Sequence, residues 1–432
     1  MKAVIYVLAA LSLLCSTLSQ AALLNIVPQS VEAEAWTILD PQSGQVIAEY
    51  NSHAQRAPAS MTKMMVAYIA LKEIKAGRLS KDEIITATPV VNMVQWDESQ
   101  MYLKPGEVIS VDQLLAGLIV MSANDAAVTL AERISGSVPA FLKLMNKEAQ
   151  ALGMKNTHFS NPAGITMDDH FSSAYDMALL GQAVTMQTPD YLHYSVMPSF
   201  SYNQRYHRAT NLALKLDPTA DGLKTGFTRA AGYNLALTAH RPTGNALAPD
   251  RRLIVVVMGA KNAHKRAEVA DLLMNLAFNY TRNEVIIKAK QPVAILPVKN
   301  AKEKTFTVIS EQAKQVTASL YNEMYGIDLH TYDKATQRVM LNKGTGLQAI
   351  PPLSHIDIKS QAKLVQNELI APINENKTLV SVDVYQDNHL INTLSVNQHV
   401  EIEEAGFFQK ILNWFSGLFS SDSKAKLLPL NN

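Results

Sequence analysis

The sequence predicts an α/β (α+β) domain, built on an antiparallel sheet covered by helices, followed by a small all-β domain and a C-terminal amphipathic helix. Three observations carry this. Strand-like runs lie at both ends of the first region and enclose a helical middle. From residue 286 to 402 the texture changes to short Val/Ile/Thr-rich runs separated by turn residues. Residues 406–419 then concentrate aromatic side chains on one helical face. At 432 residues the chain also exceeds one typical hydrophobic core.

The elements follow in order. "AWTILDPQSGQVIAEYN" (35–51) alternates apolar and polar residues around Asp40-Pro41-Gln42-Ser43-Gly44, a hairpin signal. Residues 61–77 read as a helix that Pro58 precedes and Gly77 stops. Met61, Met64, Met65, Tyr68, Ile69 and Leu71 make it apolar on most sides, as a buried helix requires. Ser110 and Gln113 form a capping-box pattern ahead of "VDQLLAGLIVM". Helical patterns follow at 125–134 and 139–153, then strands at 233–240 and 252–260, and a helix at 267–280. The expected division is a signal peptide at 1–21, a catalytic domain at 22–285, a β-rich domain at 286–402, and an anchor helix with tail at 403–432.

The first residues have the form of an export signal. Lys2 precedes the apolar run "AVIYVLAALSLLC", and small residues suit cleavage after Ala21. A lipoprotein reading through Cys15 is disfavoured because Leu14 precedes the cysteine. Cleavage removes the single cysteine of the chain, which excludes disulfides and thiol catalysis from the mature protein. The formal net charge is +1 with no basic stripe, so no nucleic-acid partner is expected.

Chemistry enters with Ser60 and Lys63. A serine hydroxyl is a poor nucleophile unless a base takes its proton, and positions three apart on a helix share a face. A positive field at the helix start and burial both favour the neutral lysine that a base must be. The spacing alone decides nothing, since Ser-x-x-Lys recurs at Ser360/Lys363, Ser421/Lys424 and Ser423/Lys426. Only Ser60/Lys63 precedes both "MSANDAA", with Ser122 and Asn124, and "DGLKTGFT", with Lys224, Thr225 and Gly226. Another Ser-x-Asn, Ser201/Asn203, is disfavoured because it lies in an aromatic stretch close to the Lys224 strand. Each element then has a task. Ser60 attacks a carbonyl and Lys63 accepts its proton. Ser122 relays protons to the leaving amine and Asn124 holds the substrate amide. Lys224 with Thr225 binds a carboxylate, and Gly226 lets an acyl-peptide lie along the strand edge. The backbone N–H groups of Ser60 and Phe227 form the oxyanion hole.

The ordered triple is the signature of penicillin-binding proteins and serine β-lactamases. Residues 28–285 resemble the low-molecular-mass penicillin-binding proteins, serine-type D-alanyl-D-alanine carboxypeptidases; "THFSNPAGI" (157–165) and "FSSAYDMALL" (171–180) are similar to segments of that family. The resemblance runs on through the β-rich domain and the terminal helix. It implies a transpeptidase-like fold of the β-lactamase type. It also implies removal of the terminal D-alanine from peptidoglycan pentapeptides through an acyl-enzyme, and acylation by β-lactam antibiotics. By position, Arg266 matches the family arginine that helps to bind the terminal carboxylate. Phe227 stands where some relatives place histidine after Lys-Thr-Gly.

No metal or cofactor is expected. His158, His170 and Asp168/Asp169 are read as solvated turn residues, and Lys343-Gly344-Thr345-Gly346 lacks the rest of a phosphate loop. The alternatives are a cross-link-cutting D,D-endopeptidase, a serine β-lactamase, and a slow-turnover penicillin-binding structural protein. Against the β-lactamase, the only glutamates between 125 and 223 are Glu132 and Glu148, both on expected helices. At 406–419, Phe407, Phe408, Ile411, Leu412, Trp414, Phe415, Leu418 and Phe419 fall in an arc of ~160°. Fourteen residues span only about 21 Å, short of a ~30 Å hydrocarbon core. The expectation is a helix lying on the periplasmic face of the inner membrane.

Overall fold

The computed structural model describes residues 22–243, 250–344, 346–406 and 424–430. The expected signal peptide and residues 407–419 of the expected anchor helix lie outside the described residues.

Five antiparallel strands form the central sheet: β1 (Ala35–Leu39), β2 (Val46–Tyr50), β3 (Ala220–Thr228), β4 (Gly232–Arg241) and β5 (Arg251–Ala260). Their spatial order is β2-β1-β5-β4-β3, which leaves β3 at an edge. The helices are α1 (Lys63–Lys75), α2 (Val111–Ala116), α3 (Asn124–Ser135), α4 (Val138–Ala151), α5 (Ala174–Gln187), α6 (Tyr191–Ser195) and α7 (Ala263–Tyr280). The sheet is covered on both faces, which explains why "RLIVVVMGA" is apolar without interruption. Ile254, Val256 and Met258 of β5 join one core with α1 and α5. The alternate residues Leu253, Val255 and Val257 join a second core against α7. Strand periodicity thus feeds two cores from one segment.

Every residue of α1 from Lys63 to Leu71 is buried, in keeping with its apolar character on most sides. Two boundaries differ from expectation in ways that matter for chemistry. Ser60 sits in a tight turn, Ala59–Thr62, ahead of α1 and outside its first turn. The last helix begins at Ala263, where the Asn262 side chain accepts from Lys265 N–H at 2.8 Å. Arg266 therefore lies within its first turn. The capping box of Ser110 and Gln113 is formed. Helix α5 carried no periodic signal, because it is buried on nearly all sides.

Beyond α7, a three-stranded antiparallel sheet joins Ile358–Leu364, Ile373–Gln386 and His389–Ile402. A third core forms beneath it with residues of Gln291–Lys299, among them Val293 and Leu296. Two features lie outside the linear division by texture. Tyr321, Ile327, Leu329, Tyr332, Val339, Leu341 and Ile350 pack into the α7 core. Lys426–Leu427 forms a strand that pairs with the Gln291–Lys299 strand, so the chain returns to the β-rich unit after residue 423.

The β1–β2 hairpin joins the two units. Gln45, 2% exposed, donates to Thr317 and Ile391 carbonyls at 3.2 Å each, and its Oε1 accepts from Thr317 N–H at 2.8 Å. Beside it, buried Arg251 donates to Asp40 at 2.9 Å and to the Thr281 carbonyl at 2.7 Å. Buried polar groups satisfied across segments are costly to leave unpaired, at roughly 1–3 kcal/mol each.

Candidate active site

The Ala59–Thr62 turn is wedged between β3 and residues 161–164. Glycines permit the contact on both sides. A Cβ on Gly226 would lie 2.8 Å from the Pro58 carbonyl oxygen and 3.0 Å from Ser60 N. A Cβ on Gly164, at φ +86°, would lie 2.0 Å from the Ala59 carbonyl oxygen. Gly226 therefore has a packing reason to be glycine. The same contact sets Ser60 N beside Gly226, the residue before Phe227. Ala59 itself is left-handed, at φ +50°, a strained conformation of the sort concentrated at functional sites.

Lys63 is fully buried, and its Nζ lies 3.0 Å from Ser60 Oγ. Nζ also donates to the Ala163 carbonyl. That carbonyl is presented by a turn in which Asn161 Oδ1 accepts from the N–H groups of Ala163, Gly164 and Ile165. Burial holds the Lys63 ammonium well below the ordinary lysine range, and the charge of Lys224 adds to this; Glu98 and Asp125 oppose it. Among the described residues Lys63 forms no ion pair, so its neutral form is the favoured one.

Ser122 follows a π-helical turn, Gly117–Met121, and is itself left-handed at φ +62°. Such insertions often re-aim a side chain at a functional site. Here Ser122 Oγ accepts from Lys224 Nζ at 3.0 Å. Lys224, 3% exposed, also donates to the Thr225 carbonyl at 3.1 Å. Burial, and then Arg266, push its pKa down to about 7. Thr225 Oγ1 lies 2.5 Å from Thr210 Oγ1. The structure thus brings Ser60 with Lys63, and Ser122 with Lys224, into two hydrogen-bonded pairs. Lys224 is close enough to Lys63 to lower its pKa.

Arg266 is 4% exposed and donates to three backbone carbonyls, of Gly226 and Asn234 at 3.3 Å and of Thr210 at 3.0 Å. Its guanidinium braces the strand end that carries Gly226 and places positive charge beside Lys224. Phe227 is half exposed and stacks on Tyr233, with ring centroids 4.3 Å apart. Asn124, 4% exposed, donates from Nδ2 to Glu98 at 2.5 Å and from its backbone N–H to Ser99 at 2.7 Å.

Sequence reading missed several residues that hold the site. Asn234 is fully buried in β4; its Nδ2 donates to the Ala57 and Pro58 carbonyls at 3.0 and 3.3 Å, tying the nucleophile turn to the sheet. A lone asparagine inside "YNLALTAH" was the available signal. His170 is a correction. It is 2% exposed, whereas Asp168, Asp169 and His158 are indeed exposed. His170 Nδ1 accepts from Ser160 N–H at 3.1 Å, so the proton sits on Nε2, 2.9 Å from Thr62 Oγ1. Burial lowers its pKa to about 4, making it a neutral buttress under the turn. Among the described residues no group of three or more His, Cys, Asp or Glu is placed to hold a metal ion. Glu98 precedes the Ser122/Asn124 motif, outside the 125–223 stretch in which glutamates bear on the β-lactamase alternative.

The profile of the D-alanyl-D-alanine carboxypeptidase family matches residues 22–262. The chain is 32% identical over 398 residues to D-alanyl-D-alanine carboxypeptidase DacA of Escherichia coli, covering 91% of this chain and 89% of that protein. It is 31% identical over 386 residues to DacF of Bacillus subtilis, covering 87% of each. Penicillin binding protein 5 of Haemophilus influenzae superposes with a TM-score of 0.70 at 27% identity, over 88% of this chain and 100% of that one. Penicillin binding protein 6B of E. coli superposes at 0.61 with 29% identity, over 87% and 99%. The family match runs through the turns and strands that carry Ser60, Ser122 and Lys224, and the chain belongs to peptidase family S11, the D-alanyl-D-alanine carboxypeptidases.

Proposed function

We propose that this serine D-Ala-D-Ala carboxypeptidase removes the terminal D-alanine of peptidoglycan pentapeptides through an acyl-enzyme on Ser60. The observation that carries the reading is a fully buried lysine with Nζ 3.0 Å from that hydroxyl. Neutral Lys63 takes the Ser60 proton as Oγ bonds to the penultimate D-alanine carbonyl carbon. The developing oxyanion is met by the N–H groups of Ser60 and Phe227. As the C–N bond breaks, Ser122 passes a proton to the leaving amine and is reprotonated by the one that Lys63 took from Ser60. Lys224 and Thr225, with Arg266 behind them, receive the terminal carboxylate, whose negative charge favours the protonated form of Lys224. Water then attacks the ester as Lys63 takes a proton from it, the Ser60 Oγ–C bond breaks, and that proton passes to Oγ. A β-lactam offers the same order of strained carbonyl, nitrogen and carboxylate, so it acylates Ser60 by the same steps.

The exported, membrane-surface location rests on the amino-terminal signal pattern and the aromatic face of residues 406–419. Among the described residues no helix is long and apolar enough to cross a membrane. The decisive experiment is incubation with a pentapeptide ending in D-Ala-D-Ala and measurement of free D-alanine. Labelled penicillin should be found by mass spectrometry on the Ser60 peptide and be absent from Ser60→Ala. An adduct on Ser122, or no D-alanine released, refutes the reading.

A further inference from the structure

We infer that Glu98 is a positioning residue for this reaction, locking the Asn124 amide in one orientation. The inference rests on the proposed role of Asn124 in holding the substrate amide. Glu98 lies on a loop threaded to the start of α3 by successive contacts. Its Oε2 accepts from Asn124 Nδ2 at 2.5 Å, and the next residue's carbonyl accepts from Asn124 N–H. Asp125 then accepts from Met101 and Leu103 N–H at 2.9 and 3.0 Å, so the loop cannot drift from the helix. A carboxylate only accepts hydrogen bonds. Turning the Asn124 amide over would set Oδ1 against Oε2, two acceptors with no proton between them. The amino end is therefore fixed on Glu98 by one N–H, which leaves its second N–H and Oδ1 for a substrate amide. A neutral glutamine at 98 could donate as well as accept and would permit both orientations.

The second consequence is electrostatic. The charged groups that act on Lys63 are Lys224 from β3, Asp125 from α3 and Glu98 from the loop, while neutral His170 lies beneath the turn. Lys224 favours the neutral amine, and the two carboxylates favour the ammonium. Glu98 thus opposes part of the downward shift that burial imposes on Lys63, which suits an amine that must both take and return a proton.

The test compares Glu98→Gln, Glu98→Ala and Asn124→Ala in the full chain, by D-alanine release against pH and by thermal unfolding. Wild-type turnover checks the proposed function separately, since its absence would defeat that reading before Glu98 is at issue. With Glu98→Gln, the melting temperature should hold while the acidic limb of kcat/KM moves to lower pH, because one anion facing Lys63 is gone. With Glu98→Ala, KM should rise ~10-fold, the scale of a lost charge-assisted hydrogen bond. In the Asn124→Ala background the same substitution should leave KM unchanged. An unmoved acidic limb together with additive losses in the double variant overturns the inference.

Discussion

Gly164 gives the sharpest test of how the nucleophile is held. Gly164→Ala and Gly77→Ala impose the same backbone strain, since both glycines are left-handed, at φ +86° and +71°. That strain costs ~1–2 kcal/mol at either site. The surroundings differ. A Cβ at Gly77 meets nothing within 4 Å, whereas one at Gly164 falls 2.0 Å from the Ala59 carbonyl oxygen and 2.9 Å from Ser60 N. These are backbone atoms of a turn tied to β4 by Asn234, so no flexible side chain can swing aside. Reaching a tolerable contact requires a retreat of about 1 Å, by the turn that carries Ser60 or by the one that offers the Ala163 carbonyl to Lys63. A misplacement of that size costs ~10²-fold in rate. Stopped-flow acylation with a fluorescent penicillin should fall by about that factor in Gly164→Ala and stay near wild type in Gly77→Ala, with both melting curves lowered. Equal acylation rates in the two variants would show that the 161–164 turn does not position the nucleophile.

The remaining expectations concern charge and the membrane. Lys63→Arg should abolish acylation because arginine stays protonated, while Lys224→Arg should retain part of it; equal losses would contradict their different roles. In the wild type, kcat/KM should fall above pH ~7 as Lys224 discharges, and Lys224→Arg should extend that alkaline limb. Stability should carry the matching sign. Between about 7 and the ordinary lysine value of 10.5, the unfolded chain binds the Lys224 proton and the folded one does not, so stability rises with pH in that window, and Lys224→Met should flatten the rise. For the anchor, Phe408→Asp with Phe415→Asp should abolish sedimentation with anionic vesicles and spare activity on small peptides. Substitution is the cleaner test than truncation, because removing the tail would also strip the Lys426–Leu427 strand from its partner. Continued sedimentation would refute the anchor.

What could be read in the sequence was local in the chain. The hairpin turn, the capping box and the apolar run of α1 each express themselves within a few residues, and so do the three motifs, whose order along the chain separated Ser60 from three other serines. Helix α5 failed the same test for a physical reason: "AYDMALLGQAVTMQ" is buried on most sides, so it carries no amphipathic period. The Lys426–Leu427 strand is too short to have a period at all. Other differences arose where a residue serves a contact distant in sequence. Nothing near Asn234 foretells that it will hold the carbonyls of Ala57 and Pro58, and nothing near His170 foretells Thr62.

The two site lysines state the same point in electrostatic terms. They are one residue type, both buried, and the sequence assigns them opposite tasks only through the motifs that contain them. In the fold, the difference lies in their neighbours. Lys63 has a serine hydroxyl and a backbone carbonyl, with two carboxylates at longer range. Lys224 has Ser122 and, beside it, the permanent charge of Arg266. On the proposed reading, a substrate carboxylate arriving at Lys224 would supply a counter-charge there and so hold that lysine protonated. Lys63 then loses the proton more readily, because a charged Lys224 lowers its pKa. Binding of the correct C-terminus would thus help to prepare the base. An amidated peptide, which brings no carboxylate, should therefore lose acylation rate as well as affinity, and a loss confined to KM would break this coupling.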